Sequence, residues 1–324
     1  MHQQISERVG AVIPVYRANF LADCLASVFA QTRQPDRVIV VDDGSPEGAA
    51  IERAVERYGD RVTLIRQENR GAGAARNRGI LASDTDLIAF LDADDEWAPE
   101  FLQGQLDLMR AYRFGVVYAN GDIVGDSTLC GMHFMETAPS QGTVSVDALL
   151  SQRCTVLTSS VVTRRNVLLD VGLFDEDLRR GQDFDLWVRL AAAGTTFAYT
   201  TAPLVKRRIH SQNLSGDCIS ELERAIAVLS KLRDKRLLTA PQCEVLDSRV
   251  RALRAQIATE QGKKTLLAGD LPEARSHFRQ AVAEGGGWKP RIVRLALRVA
   301  PVMTRQAYLF KLRRDSAASP VQTA

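Results

Sequence analysis

Over the first 120 residues, short apolar runs alternate with helix-patterned segments, and this alternation limits the possible folds more than any other feature of the chain. Val9–Val15 is an apolar run, and Asn19–Gln31 follows with Leu21, Leu25 and Val28 on one helical stripe. Val38–Val41 is a second run, stopped by Asp42-Asp43-Gly44-Ser45, and Pro46–Tyr58 is helical. Val62–Arg66 reads as a third strand, Ala72–Leu81 as a helix after a glycine-bearing turn, and Leu87–Leu91 as a fourth strand. Strands and helices at this spacing build βαβ units and a mostly parallel sheet. Ligands of such sheets collect outside the carboxyl ends of the strands. The polar residues that follow strands two and four, Asp42-Asp43 and Asp92-Ala93-Asp94-Asp95, then share one rim.

Further along, residues 121–150 carry no regular pattern. Ser159–Thr163 reads as a strand, Asn166–Val171 as a short helix and Phe184–Ala193 as a longer one. From Glu221 to Gly285 the pattern is helical throughout. Gly262, Gly269-Asp270, Ala274, Phe278 and Ala281 match the register of a tetratricopeptide-type helix pair. One such unit cannot bury its own face, so a helical appendage is expected, ended by Gly285-Gly286-Gly287. The expected division is 1–216, 217–284 and 285–324, with a frayed end over Asp315–Ala324.

Composition narrows the class. With 324 residues, 45% hydrophobic and 25% charged, the chain suits a globular protein of about two domains. No stretch approaches the ~18 apolar residues of a membrane-spanning helix. Met1–Arg8 is polar and runs directly into a strand, so no secretory leader is expected. Cys24, Cys130, Cys154, Cys218 and Cys243 are scattered without CxxC spacing, which points to reduced thiols in a cytoplasmic protein rather than disulfides or zinc ligands. The chain has 42 Lys+Arg against 39 Asp+Glu. Eight of those cations (289, 291, 294, 298, 305, 311, 313, 314) lie in residues 285–314, which contain no acid. The basic character is therefore local, and a nucleic-acid partner is not expected. Trp288–Arg314 places Ile292, Leu295, Val299, Val302, Met303, Leu309 and Phe310 at mostly helical spacing, with Pro301 expected to kink it. Such a basic amphipathic helix suits a membrane surface, and it equally suits docking on the preceding helices.

Five constellations could carry chemistry. In Asp92-Ala93-Asp94-Asp95, three carboxylates within four residues repel one another unless donors or a cation neutralise them. A divalent metal carrying a diphosphate is one solution, and a solvated acidic loop with Asp95 as a helix cap is the other. Asp42-Asp43-Gly44-Ser45 can accept from a base or ribose, or simply form a turn. Asn69–Asn77 has glycines at Gly71 and Gly73, but Arg76 stands where a dinucleotide fingerprint needs its third glycine, and the run follows strand three. Arg76 instead suits a base or diphosphate, or an exposed helix face. Asp183, beside Phe184 and Trp187 at a helix start, suits a general base or an N-cap. His210, in Arg207–Ser215, suits a metal ligand, and a loop histidine is also commonly just a surface residue.

Taken in order, Ile13-Pro14-Val15-Tyr16, Val40-Val41-Asp42-Asp43-Gly44-Ser45, Gly71…Ala75-Arg76-Asn77-Arg78-Gly79-Ile80, Phe90-Leu91-Asp92-Ala93-Asp94-Asp95 and Asp183-Phe184-Asp185-Leu186-Trp187 resemble the family 2 glycosyltransferases over about residues 7–215. The resemblance implies an α/β GT-A fold, a nucleotide-binding Rossmann-like mixed sheet, here with a C-terminal all-helical extension. It implies an inverting transfer of a sugar from a nucleotide-sugar donor, a UDP-sugar being favoured, to a hydroxyl of a glycan or lipid-linked acceptor, as in surface polysaccharide biosynthesis. Pro14, Val15 and Tyr16 with Asp42 or Asp43 and Arg76 would bind the nucleoside, and Asp92 would lie near the ribose. Asp94, joined by His210, would hold Mn²⁺ or Mg²⁺, and Asp183 would be the catalytic base. Gln182 replaces the Glu usual before that base, and Arg17 stands where relatives often carry Asn. A binding module without chemistry would instead show damage to the acidic rim or at Asp183. A nucleotidyltransferase would want a glycine-rich basic loop after strand one, where this chain has Pro14–Phe20.

Overall fold

The computed structural model describes residues 7–112, 114–210 and 218–317. Their elements in chain order are β1 (Val9–Val15), α1 (Leu21–Phe29), β2 (Arg37–Asp43), α2 (Gly48–Glu56), β3 (Val62–Gln67), α3 (Ala72–Ala82), β4 (Leu87–Phe90), β5 (Glu96–Trp97), α4 (Phe101–Tyr112) and β6 (Val116–Gly125). There follow α5 (Phe134–Thr137), α6 (Val146–Leu150), β7 (Val162–Arg164), α7 (Arg165–Asp170), α8 (Gln182–Ala192) and β8 (Phe197–Ile209). The rest is helical: α9 (Cys218–Asp234), α10 (Ala240–Ala268), α11 (Leu271–Ala283), α12 (Trp288–Val299) and α13 (Pro301–Ala317).

All eight strands form one sheet in the order β3-β2-β1-β4-β7-β6-β8-β5. β1 pairs in parallel with β2 and β4, and β2 with β3. The apolar run of β1 is buried at every position, as a central parallel strand covered on both faces requires. Beyond β4 the sheet turns mixed: β7 runs antiparallel to both β4 and β6, and β8 runs parallel to β6. Small residues let α3 lie close on β1. A Cβ at Gly79 would stand 2.4 Å from Cγ1 of Val12, so only glycine permits this approach.

Residues 121–150, patternless in sequence, contain the second half of β6 and the short helices α5 and α6. β8 escapes sequence periodicity because it is half-exposed and carries Pro203. That proline pairs with Asn120 where the β6–β8 register shifts, a position at which a missing N–H is tolerated.

By compactness the chain forms two units, residues 1–215 with 232–242, and residues 216–231 with 243–324. In the first unit, Lys235 donates to Asp175 (2.9 Å) and Asp185 (2.8 Å), which holds residues 232–242 to α8. In the second, α10 and α11 form a hairpin with Asp270 accepting from Glu273 N as N-cap. Gly262 faces the ring of Phe278, where a Cβ would meet it at 3.0 Å. Leu266, Ala274, Phe278 and Leu297 form the core, so residues 285–299, set apart in the sequence by charge, pack with the helical hairpin. Pro301 does not kink a continuous helix: α12 ends before it and α13 begins at Pro301, where a missing N–H costs nothing. Among the described residues, no helix is long and apolar enough to cross a membrane.

Candidate active site

At the carboxyl ends of β1, β2 and β4 a cleft of about 770 Å³ opens, lined by Pro14, Val15, Tyr16, Arg17, Asn19, Phe20, Asp43, Ala72, Arg76, Asp92, Ala93, Asp94 and His210. Eight of the ten expected site residues line this cleft, and Asp42 and Asp183 do not. β5 runs antiparallel to β8 with Glu96 opposite Lys206 and Trp97 opposite Val205. Continuing that ladder brings residues 208–210 alongside residues 92–94. Arg208 donates its backbone N–H to Asp95 (2.8 Å) and its Nε to the Asp94 carbonyl (3.2 Å), and Nε2 of His210 lies 3.2 Å from Oδ2 of Asp94. Residues 211–215 of this motif lie outside the described residues.

The three crowded carboxylates divide their tasks by burial. Asp95 is buried, accepting from Ser159 Oγ (2.5 Å) as well as from Arg208 N, and desolvation followed by its neighbours Asp94 and Asp92 raises its pKa well above the usual carboxylate range. It is a structural link and no helix cap. Asp92 and Asp94 remain partly exposed to the cleft, at 36% and 29% of their side-chain surface. The buried Cys24 thiol behind them donates to the Asp92 carbonyl, and its pKa is raised by burial and by the carboxylates.

Arg76 reaches the rim from α3 and is buried rather than on an exposed helix face. Its Nη2 donates to Asp92 Oδ1 (2.5 Å), its guanidinium lies over the Phe174 ring, and its Nε and Nη1 have no partner among the described residues. Asp43 holds the turn into α3: its carboxylate accepts from Gln67 Nε2, Arg70 N and Gly71 N, each at 2.8 Å. Gly71 has φ of 93°, which favours glycine there. Of the carboxylate's roughly four acceptor positions, this leaves one towards the cleft. Asp42 does not line the cleft. It accepts from Ser45 N (2.8 Å) and pairs with Arg66, so the turn reading describes it.

Asp183 is also absent from the cleft lining. It is not the N-cap of α8, a place taken by Gly181 in the left-handed region, but a half-buried residue of the first turn. Its Oδ1 accepts from Phe184 N (2.8 Å) and its Oδ2 from Thr158 Oγ1 (3.2 Å). The preceding Gln182 is buried against Gly73, and its Oε1 has no partner among the described residues. Sequence reasoning passed over Thr158 and Ser159 because serine and threonine in an irregular turn carry no motif. It also missed Glu47, which clamps the loop after β1 by accepting from Ala18 N (2.9 Å) and Arg17 Nη1 (3.2 Å). Those contacts hold the Glu47 carboxylate below its usual range.

Asp94 and His210 offer one carboxylate oxygen and one imidazole nitrogen to the same space. Among the described residues there is no group of three or more such ligands. Two protein donors with open positions fit a Mn²⁺ or Mg²⁺ ion that completes its shell with phosphate and water.

The architecture is that of a GT-A fold: it matches the crystal structure of S. aureus TarS 1-349 in complex with UDP-GlcNAc at a TM-score of 0.59, with 15% identity, over 95% of this chain and 92% of that one. The model of glycosyl transferase family 2 matches residues 11–155, and that of glycosyl transferase family group 2 matches residues 87–225. The amylovoran biosynthesis glycosyltransferase AmsB of Erwinia amylovora is 32% identical over 206 residues, 60% of this chain and 67% of that protein. The succinoglycan biosynthesis protein ExoW of Rhizobium meliloti is 45% identical over 111 residues, 32% of this chain and 35% of that protein. The chain belongs to the family 2 glycosyltransferases and is a glycosyltransferase enzyme.

Proposed function

We propose that this enzyme is an inverting, metal-dependent transferase that moves a sugar from a nucleoside-diphosphate sugar to a hydroxyl acceptor during surface-glycan assembly. The observation that carries the reading is the convergence of Arg76, with two unpartnered buried nitrogens, Asp92, Asp94 and His210 on one cleft. Arg76 suits the diphosphate or base, Asp92 the ribose, and Pro14, Val15, Tyr16 and Asp43 the nucleoside. Asp42 holds the adjoining turn. A UDP-sugar is favoured as donor, which the UDP-GlcNAc complex of TarS supports. Relatives named for amylovoran and succinoglycan biosynthesis support a glycan or lipid-linked acceptor, and the scattered thiols suit a cytoplasmic site of action.

Asp94 and His210 would hold Mn²⁺ or Mg²⁺. Such an ion supplies charge neutralisation for the departing diphosphate. Asp183 takes the proton of the acceptor hydroxyl as its oxygen bonds to the anomeric carbon, while the bond from that carbon to the diphosphate oxygen breaks on the opposite face. One displacement inverts configuration. Thr158 orients the Asp183 carboxylate, and general-base help of this kind contributes about 10²–10⁴ in rate.

The test is incubation with a panel of sugar nucleotides and Mn²⁺, following release of nucleoside diphosphate and of pyrophosphate. Nucleoside diphosphate without pyrophosphate is expected with one donor. Pyrophosphate release would mean a nucleotidyltransferase, and donor binding without turnover on any hydroxyl acceptor would mean a binding module.

A further inference from the structure

Helix α12 has two apolar faces, and only one is covered. Pro290 and Leu297 are buried, and Leu297 packs with Leu266, Ala274 and Phe278. Trp288, Ile292, Leu295 and Val299 recur at intervals of four, three and four residues, so they form a separate stripe. They are 67%, 57%, 63% and 76% exposed. Val302, Met303 and Phe310 on α13 are exposed too, so most of the large exposed hydrophobic side chains among the described residues fall within residues 288–310. Single exposed apolar residues are ordinary, but a concentration of this kind marks a contact surface.

The charges beside the stripe state what it contacts. Arg291, Arg294 and Arg298 lie along its flank, all exposed, and no acid occurs between residues 285 and 314. Arg294, Leu295 and Arg298 border a cleft of about 400 Å³ with Arg275 and Arg279 of α11. Arg275 is fixed there, its Nε and Nη2 both donating to the Leu297 carbonyl at 3.1 and 2.9 Å. The partner must therefore be negative over an extended area and also receive apolar side chains. A nucleic acid meets the first demand and leaves Ile292, Leu295 and Val299 against water. A second copy of this face would set arginine against arginine. The boundary between phosphates and acyl chains in an anionic bilayer meets both demands.

We propose that α12 and the start of α13 dock on an anionic lipid bilayer, the stripe Trp288–Val299 entering the interface and the arginine-lined cleft receiving lipid phosphates. This surface is independent of the donor cleft and of its assignment.

Full-length protein is tested by flotation with vesicles of phosphatidylcholine alone and with an equal mixture of phosphatidylcholine and phosphatidylglycerol, at low and high salt. Tryptophan emission reports insertion directly, because Trp97 and Trp187 are only 3% and 2% exposed and Trp288 is the exposed one. Binding to the anionic vesicles alone, weakened by salt and accompanied by a blue shift, is expected. Arg291→Gln/Arg294→Gln/Arg298→Gln should lower partitioning on the order of a hundredfold. Ile292→Glu/Leu295→Glu should abolish the blue shift, with circular dichroism unchanged because both side chains face solvent. No binding to anionic vesicles at low salt, or equal binding by wild type and both variants, overturns the proposal. So does a concentration-dependent dimer that Leu295→Glu dissolves while vesicles leave it intact, or binding to duplex oligonucleotide in place of vesicles.

Discussion

Arg76 and Asp92 form a one-sided pair: Nη2 of the buried arginine donates to Oδ1 of the half-exposed aspartate at 2.5 Å, while Nε and Nη1 remain without a partner among the described residues. A buried N–H left unmade costs about 1–3 kcal/mol. The free protein carries that cost at the rim where an anionic donor would relieve it.

Arg76→Met keeps the side-chain volume and removes the unmet donors together with the ion pair. Because breaking a buried pair and deleting unsatisfied groups oppose each other, the melting temperature should move little, corresponding to less than about 1 kcal/mol. Affinity for UDP, read from its thermal stabilisation of the protein, should fall by at least about tenfold. Undiminished UDP affinity in this variant would remove Arg76 from the donor site.

Asp94→Asn should eliminate Mn²⁺-dependent turnover and leave folding intact, since the carboxylate is partly exposed to the cleft. EDTA should silence the wild type, and added Mn²⁺ should restore it. The measurement is a metal titration of nucleoside-diphosphate release, and a variant within a few-fold of wild type at saturating Mn²⁺ counts against the metal assignment.

Asp183→Asn should lower kcat by about 10²–10⁴ while donor affinity stays the same, as loss of a general base requires. Thr158→Val removes only the hydrogen bond that aims the carboxylate, so kcat should fall about fivefold, in keeping with roughly 1 kcal/mol for a neutral hydrogen bond. If Asp183→Asn instead unfolds the protein and the folded fraction turns over normally, the residue is part of the scaffold.

Gly79→Ala forces its new Cβ into Val12, and overpacking of this kind costs about 1–3 kcal/mol. Val12→Ala should relieve it, so the double variant should lose less stability than the two single losses combined. Chemical denaturation of the four proteins decides this, and strict additivity would place the strain elsewhere.

Much of the nucleotide half was legible because its signals are local. The apolar runs of β1, β2 and β4 are buried parallel strands whose identity is written in a few consecutive residues, and the acidic rim follows from the direction of those strands. β8 was not legible: its pairing with β6 and β5 spans many residues, and its half-exposed face and Pro203 erase the alternation that marks a strand. The roles of neighbouring acids were equally hidden. Asp42, Asp43 and Asp95 differ in what meets them, namely Ser45 and Arg66, the turn into α3, and Ser159 with the Arg208 backbone.

By itself the sequence determined the βα alternation, the rim on which Asp92 and Asp94 stand, and the isolated basic, apolar end of the chain, because each depends on residues close together along the backbone. Only the tertiary structure decided that the Arg208 backbone meets Asp95, that Asp95 is buried away from the cleft, that Thr158 rather than an N-cap role holds Asp183, and that one face of α12 stays uncovered. Those outcomes follow from long-range strand pairing and helix packing, which set burial and hydrogen-bond partners that no window of sequence contains.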